Sequence, residues 1–245
     1  MALDSYISAA ACLTSLNRLR TERPRIHCIT NAVAVNVAAN TLLAVGAHPS
    51  VTYDPREVEA FTASAAALAV NIGTLDADRR AAIPKAVQAA KRAGLPWVLD
   101  PVMATRSDAR RAVAETLIAA APTVIRGNAG EIDALGVSGS AGTIMAKTGP
   151  TDEITDGAAT VLIRNGHPLM DRVTAMGCAE TALVGAFLAV APNPFAAAAQ
   201  AILVFNIAGE IAAQACSGPG SFQAALLDSL YNLSEADIES RRKVE

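Results

Sequence analysis

Aromatic residues and clustered charges are both scarce in this chain of 245 residues. Aromatics make up 4% of the sequence and hydrophobic residues as a whole 52%, so Ala, Val, Leu and Ile must build the core. The net charge is -3, and no basic run is longer than residues 241–243. Because binding to a phosphate backbone needs a clustered positive face, this composition argues against nucleic acid as a main partner. A local anion site is still compatible with it.

Features of exported or membrane proteins are also lacking. The four cysteines, Cys12, Cys28, Cys178 and Cys216, include no C-x-x-C pair, which argues against a zinc site and a disulfide framework. The N-terminus has no early Lys or Arg, unlike a signal peptide. The most membrane-like stretch, residues 195–215, contains Glu210, and an ionised Glu in a bilayer costs several kcal/mol. We therefore expect a cytoplasmic protein without a membrane partner, in which this stretch is a buried helix.

Short β-type runs alternate with Ala-rich helical segments along the chain. The predicted strands are residues 25–29, 49–53, 67–71, 97–100, 123–126 and 143–147. The predicted helices are residues 36–45, 56–64, 78–93, 109–120 and 129–135, and a hairpin over 153–164 and three helices over 177–233 follow. This alternation predicts a single α/β domain over residues 1–245, with a mostly parallel sheet and helices on both faces.

Polar residues and glycines follow the predicted strands. Ligands bind beyond the carboxyl ends of strands in such a sheet, so these residues predict a polar ligand there. Asp100 and Glu131 are two acids at this edge, and two carboxylates beside a phosphate would suit Mg²⁺. The alternative is that Asp100 merely ends a strand and Glu131 caps its helix. Arg126 is either a phosphate clamp or a surface ion-pair partner.

A turn of small residues, 174–179, leads directly into the apolar run 182–190. A helix that opens at Gly177 and Cys178 presents free backbone N–H groups and its positive dipole end, which suits a transferring phosphoryl group. A cysteine at a helix start is also expected to have a lowered pKa. The alternative is a buried structural cysteine.

Taken in order, these segments resemble the hydroxyethylthiazole kinase family of the ribokinase-like superfamily. The matching motifs include His27-Cys28-Ile29-Thr30-Asn31, Asn71-Ile72-Gly73-Thr74-Leu75, Pro96-Trp97-Val98-Leu99-Asp100-Pro101-Val102, Ile125-Arg126-Gly127-Asn128, Thr148-Gly149, Asn165-Gly166-His167, Gly177-Cys178-Ala179 and Gly218-Pro219-Gly220-Ser221-Phe222. They run in family order from about residue 25 to residue 231.

The resemblance implies a ribokinase-like three-layer fold and an ATP- and Mg²⁺-dependent kinase for 4-methyl-5-(2-hydroxyethyl)thiazole, in thiamine salvage. It implies a thiazole pocket at Asn31, Val33, Val51 and Ala175, with Gly73 supplied by a neighbouring subunit of a trimer. ATP contacts fall on Arg126 and Thr148, and the Mg²⁺-side acids are Asp100 and Glu131. Gly177 and Cys178 are the catalytic residues, and Cys178 stands where related sugar kinases place an Asp base.

Three departures from the family pattern stand out. Residues 103–106 replace a usual glycine-rich run, and Ala175 stands where most members have Gly. The segment after Leu135 is shorter than usual. Two alternatives to the thiazole kinase therefore stay open: a ribokinase-like kinase for another small alcohol, and a non-catalytic thiazole- or nucleotide-binding relative.

Overall fold

One mixed sheet organises the protein. The structure, a computed structural model, describes residues 6–140 and 142–245. Within these residues, eight strands form a sheet in the order β2-β1-β3-β4-β5-β6-β7-β8. The strands are β1 (Arg25–Ile29), β2 (His48–Ser50), β3 (Ala67–Asn71), β4 (Trp97–Asp100), β5 (Val124–Asn128), β6 (Ile144–Thr148), β7 (Asp152–Thr155) and β8 (Thr160–Ile163). The first six are parallel, and β7 and β8 add an antiparallel hairpin at one edge.

Helices cover both faces of the sheet. They are α1 (Ala9–Glu22), α2 (Val35–Ala44), α3 (Val58–Ala63), α4 (Ala77–Ala93), α5 (Asp108–Ala119), α6 (Ala129–Leu135), α7 (Met176–Leu188), α8 (Pro194–Ala215), α9 (Pro219–Asn232) and α10 (Glu235–Arg241). One core joins α1, α2 and α7 to α10 with one face of the sheet, and a second core joins α3 to α6 with the other. Strand residues alternate between them: Val98 faces the first core, and Trp97 and Leu99 face the second. This is the period of two expected of a pleated strand.

The predicted α/β architecture is confirmed, and the differences are one displaced strand and two additional helices. The second predicted strand, 49–53, is shorter and earlier, because only His48–Ser50 pairs with β1. Helix α1 was not predicted, and the last part of the chain carries a fourth helix, α10, beyond the three expected. The predicted hairpin is present as β7 and β8.

The short connection between β5 and β6 does make a parallel crossover. Strands β5 and β6 pair in parallel over five residues, and among the described residues of the connection α6, seven residues long, is the only helix. Gly136 ends that helix in the left-handed region at φ 62°, a conformation that glycine adopts without a steric penalty. A compact crossover therefore suffices to bring Arg126 and Thr148 to one edge.

Helices α7 and α8 are the apolar centre of the first core. Helix α8 is long and apolar enough to cross a membrane, but 89% of its most apolar window is buried inside the protein. Helix α7 packs closely on the sheet at Gly185, where a Cβ would lie 3.3 Å from the Ile26 side chain. This close packing sets the start of α7 against the carboxyl ends of the central strands.

Candidate active site

The carboxyl ends of β1, β3 and β4 bring three polar side chains together. Asn71 and Asp100 are the last residues of adjacent strands and are aligned in the strand register. Asn31 follows β1, the other neighbour of β3. Because parallel strands end at the same edge, the sheet itself places these residues side by side.

Asn31, Asn71, Asp100 and Cys178 form a hydrogen-bonded group that we call the amide cluster. Asn71 donates from Nδ2 to Asp100 Oδ2 at 2.7 Å and to Cys178 Sγ at 3.2 Å. Asn31 donates from Nδ2 to the same sulfur at 2.9 Å and lies 3.3 Å from Asn71 Oδ1. Gly73 donates its backbone N–H to Asn71 Oδ1 at 2.9 Å. Asn71 is thus the central member of the cluster.

Asp100 is a buried acid whose two carboxylate oxygens differ in their hydrogen bonding. Its Oδ2 accepts from Asn71 and lies 2.9 Å from the hydroxyl of Thr181, whereas Oδ1 is buried and has no hydrogen-bond partner among the described residues. Burial raises the pKa of Asp100 to about 6, against the lowering effect of Arg126. The carboxyl group is therefore mostly ionised at neutral pH and holds a free acceptor atom.

The first turn of α7 supplies backbone donors next to the amide cluster. Its N-cap residue, Ala175, makes no capping hydrogen bond from its side chain, so the first N–H groups of the helix are left without a side-chain acceptor. Ala175 adopts φ 67°, in the left-handed region, at a cost of roughly 1–2 kcal/mol for a residue with a Cβ. The turn therefore keeps its shape although alanine stands where the family pattern has glycine.

The expected low pKa of Cys178 is wrong. Burial raises the pKa of this thiol to about 11, and the negative charge of Asp100 raises it as well. The hydrogen bonds from Asn31 and Asn71 and the charge of Arg126 act in the opposite direction but are outweighed. A helix start lowers a thiol pKa only when the sulfur keeps enough solvation or positive charge around it. Cys178 is thus a neutral thiol at physiological pH.

Arg126, Asp152, Glu180 and Asn206 form a second group, the charged cluster. Glu180 Oε2 accepts from Arg126 Nε at 2.9 Å and from Nη2 at 2.5 Å. Asn206 donates to Asp152 Oδ2 at 2.6 Å, and Gly149 donates its N–H to Asp152 Oδ1 at 2.9 Å. Burial raises the pKa of both carboxyl groups. Arg126 is therefore an ion-pair partner, in a buried position rather than on the surface.

A cleft of about 660 Å³ opens over the charged cluster. All four members of that cluster line it, together with Thr148, Ala175 and Gly177. The hydroxyl of Thr148 donates to the carbonyl of Gly127 at 3.3 Å, which holds the end of β6 to β5. The structure thus brings the two residues predicted to contact ATP, Arg126 and Thr148, to one cavity.

Glu131 is held by backbone donors. Its Oε1 accepts from Met103 N at 2.7 Å and its Oε2 from Asn128 N at 3.1 Å. The second contact belongs to a capping box with Asn128 at the start of α6. The helix-capping alternative raised from the sequence is therefore realised, and any contact with Mg²⁺ would use the remaining lone pairs.

The residues expected in the thiazole pocket divide into three sets, of which Ala175 forms one because it lines the cleft over the charged cluster. Asn31 lies in the amide cluster, and a Cβ on Gly73 would lie 2.7 Å from Asn31 Cβ of the same chain. Gly73 of this chain therefore lies beside its own Asn31, whereas the expected supply of Gly73 by a neighbouring subunit stays a prediction. Val33 is 68% exposed, and Val51 lines a separate depression beside Tyr53. The structure does not bring these two valines into the cluster.

Five contributors to the two clusters and their contacts were not predicted as site residues: Asn71, Asp152, Glu180, Thr181 and Asn206. Asn71 ends a buried strand, the same signal that identified Asp100. Glu180 is the only charged residue in α7, which is otherwise an almost wholly apolar helix, and a lone acid in such a segment is a signal of a buried partner. The partner itself could not be read from the sequence, since Arg126 lies 54 residues away.

Comparison with known proteins identifies the family. The chain matches the hydroxyethylthiazole kinase family over residues 16–141 and 136–236. A hydroxyethylthiazole kinase from Cereibacter sphaeroides is 43% identical over 258 residues, covering 96% of this chain and 98% of that protein. The chain belongs to the hydroxyethylthiazole kinase family. The two parts of the family match meet at residues 136–141, in the crossover that the sequence shows to be short.

Solved structures agree with this family and with the predicted fold. A hydroxyethylthiazole kinase from Pyrococcus horikoshii OT3 superposes with a TM-score of 0.90 at 38% identity, covering 96% of this chain and 98% of that one. A ribokinase-like superfamily protein from Enterococcus faecalis, at 14% identity, has a TM-score of 0.58 over 88% of this chain and 89% of that one and shows the fold alone. The predicted ribokinase-like fold is confirmed.

Proposed function

We propose that this protein is an ATP-dependent kinase that phosphorylates the hydroxyethyl group of 4-methyl-5-(2-hydroxyethyl)thiazole. Membership of the hydroxyethylthiazole kinase family, at about 43% identity over nearly the whole chain, supports this activity. The proposed mechanism rests on one observation: the amide cluster and the charged cluster both contact residues at the start of α7.

The thiazole alcohol is assigned to the amide cluster. Asn31 Oδ1 is buried without a partner, and Asn71 and Gly73 surround it with amide groups. A neutral heteroaromatic alcohol suits such a set of uncharged donors and acceptors, because a buried amide left unpaired costs free energy that a ligand hydroxyl or ring nitrogen would recover. The thiol of Cys178 would orient the hydroxyl group.

The phosphates of ATP are assigned to the cleft. Arg126 supplies the positive charge, and Thr148 supplies a hydroxyl group at the end of β6. The backbone N–H groups of Gly177 and Cys178 would hold the transferring oxygens, with the positive end of α7 behind them. In the transfer itself the alcohol oxygen bonds to the γ-phosphorus as the bond to the β–γ bridging oxygen breaks, ADP leaves, and the hydroxyl proton passes to solvent. This loose reaction depends mainly on positioning and charge stabilisation.

Mg²⁺ is the proposed metal, and the donor set fits it. Asp100 Oδ1 is a buried carboxylate oxygen without a partner, which is the type of ligand that Mg²⁺ takes alongside phosphate oxygens and water. Glu131 would assist from its capping position. When bound, the metal would neutralise charge on the phosphates. The residues themselves fix Asp100 through Asn71 and Thr181.

The replaced glycines favour an active enzyme over a non-catalytic relative. Ala175 and Met103 adopt φ 67° and 56°, the left-handed conformation that glycine would take at such positions. Both turns therefore keep this backbone despite the side chain. Retention of a strained turn beside a complete set of polar groups supports turnover.

We further propose that residues 1–245 form one kinase domain that assembles as a trimer and works in the cytoplasm, with no nucleic-acid or membrane partner. The trimer and its shared sites rest on the family resemblance. The exposure of Val33, expected to contact the thiazole, supports a covering surface from a neighbour. Light scattering on the active protein would measure the mass, and an active monomer would exclude a shared site.

The function is tested by incubating the purified protein with Mg·ATP and a panel of vitamin-precursor alcohols, followed by mass spectrometry of the products. We expect thiazole phosphate in excess of a no-enzyme control. Phosphorylation of a pyridine or pyrimidine alcohol in preference to the thiazole would support the alternative of a ribokinase-like kinase for another small alcohol. Binding of the thiazole without any product would support the non-catalytic one.

A further inference from the structure

Glu180 is a buried acid with no role in the function proposed above. It lies in α7 two residues after Cys178, and its side chain is 5% exposed. Its Oε2 takes two of the donors of Arg126, Nε and Nη2. A carboxylate that accepts two hydrogen bonds from one side of a guanidinium group fixes the plane of that group, because the guanidinium donors have a rigid, planar arrangement.

The remaining end of Arg126 points to the place where the two clusters meet. Its Nη1 lies 4.0 Å from Asp100 Oδ2. A Cβ added to Gly177 would lie 2.6 Å from the same Nη1, so this nitrogen lies against the backbone of the first turn of α7. A side chain at position 177 would therefore require Arg126 to move. The donor that Glu180 leaves free is therefore the one nearest to the turn proposed to hold the transferring phosphoryl group.

We propose that Glu180 is a positioning residue that orients Arg126 so that Nη1 faces the transferring phosphoryl group at the Gly177 turn. This inference rests on the proposed kinase function and adds a residue to it. A free arginine side chain carries about 2 kcal/mol of rotamer entropy, and Glu180 removes part of that freedom before the substrate binds. We expect Glu180 to affect kcat rather than substrate binding, because a displacement of a catalytic group by about 1 Å can lower the reaction rate about 100-fold.

Charge balance distinguishes this role from a simple contribution to ATP affinity. Arg126 lies among three carboxylates, Asp100, Glu180 and Asp152, and Glu180 and Asp152 both line the cleft. A carboxylate in the phosphate cleft repels ATP, so Glu180 cannot act by attracting the nucleotide. Two roles are left for Glu180. It either positions Arg126 for the reaction, or it holds Arg126 in an inhibitory ion pair that ATP must break before it can contact Arg126. They predict opposite effects on turnover.

The test compares Glu180→Gln and Glu180→Leu with the wild type and with Glu153→Gln as a matched control. Glu153 in β7 pairs with Lys147 in β6 at 3.1 Å, and neither residue lines the cleft. We expect kcat to fall about 10-fold in Glu180→Gln, which keeps an acceptor oxygen, and about 100-fold in Glu180→Leu. KM for ATP is expected to stay constant or to fall, because a negative charge has been removed. Unchanged or increased kcat in Glu180→Gln would overturn the proposal in favour of the inhibitory ion pair.

A mutant cycle with Arg126→Ala shows whether Glu180 acts through Arg126. If it does, Glu180→Leu has no further effect on kcat once Arg126 is replaced. Additive losses would overturn the proposal. Thermal unfolding identifies any variant that fails to fold, and the near-isosteric Glu180→Gln then carries the comparison. An inactive wild type would instead reject the proposed function.

Discussion

The two clusters at the sheet edge differ in charge although one helix serves both. The amide cluster surrounds a neutral thiol with two amides and a single acid, whereas the charged cluster pairs Arg126 with Glu180 beside Asp152. Cys178 and Glu180 are only two residues apart in α7. A two-residue step along a helix turns a side chain by about 200°, so α7 presents each residue to a different neighbour.

This difference matches the needs of two unlike substrates. A neutral alcohol gains from uncharged hydrogen-bonding groups, while a triphosphate needs fixed positive charge and backbone donors. The first turn of α7 lies between the clusters, so the transferring group can be held by backbone atoms whatever the nearby side chains are. In the proposed function, the sheet edge therefore separates recognition of the acceptor from recognition of the donor.

The largest expected loss comes from Asp100, the acid of the amide cluster that also lies near Arg126. Asp100→Asn removes the free carboxylate oxygen, and we expect kcat to fall by roughly 1000-fold, as when charge stabilisation is removed from a transition state. The melting temperature is expected to change little, because a buried acid with a raised pKa contributes no net stability as a charge. Asp108→Asn, in an exposed first turn of α5, is the control. Retained activity with a large fall in melting temperature would make Asp100 structural.

A smaller loss of kcat is expected when Cys178 is replaced, because in the proposed mechanism the backbone N–H groups of this turn, rather than the thiol, hold the transferring oxygens. Cys178→Ala is expected to lower kcat about 10-fold, as for the loss of one hydrogen bond, because a neutral thiol can orient the hydroxyl group but takes up no proton. Cys178→Asp is expected to recover part of that loss by adding a carboxylate.

Chemical labelling tests the same residue independently. Since the thiol pKa is raised to about 11, alkylation of Cys178 at pH 7 is expected to be slow and to accelerate as the pH rises. Rapid labelling at pH 7, or wild-type turnover in Cys178→Ala, would contradict this account of the cluster.

The smallest effect on turnover is expected at His27, which lies outside both clusters. Its ring is fully buried, with Nδ1 2.9 Å from Ser50 Oγ and no partner at Nε2. Burial lowers the pKa of His27 from 6.5 to about 4, so the unfolded chain takes up a proton before the native protein does. Its contribution to stability is therefore complete above pH 6.5 and is lost as the pH falls from 6.5 to 4.

A comparison of wild type with His27→Gln by urea unfolding isolates this contribution. Between pH 7 and pH 4.5 we expect the wild type to lose roughly 2–3 kcal/mol more than the variant, at 1.36 kcal/mol per pKa unit. Turnover at pH 7.5 is expected to stay near the wild-type value. Parallel pH profiles of stability would show that His27 is not buried as a neutral ring.

Strand ends and order of elements were predictable because they depend on local patterns. The buried runs that end at Asn71 and Asp100, and the small-residue turn before Cys178, are visible in the sequence. The pKa of Cys178 and the partner of Arg126 were not predictable, because both depend on what α7 packs against. The second strand was misplaced for a similar reason: pairing with β1, rather than residue type, ends it at Ser50.

The division of the site between two substrates is tested most directly by calorimetric titration of two variants with each ligand alone. The variants are Asn31→Ala and Arg126→Ala, and the ligands are the thiazole alcohol and a non-hydrolysable ATP analogue with Mg²⁺. Asn31 contacts Asn71 and Cys178 but not Asp100. We expect Asn31→Ala to weaken only the thiazole, about 10-fold, and Arg126→Ala to weaken only the nucleotide, by about 100-fold, as for the loss of hydrogen bonds to neutral and charged groups. Equal weakening of both ligands by either variant would contradict two separate subsites.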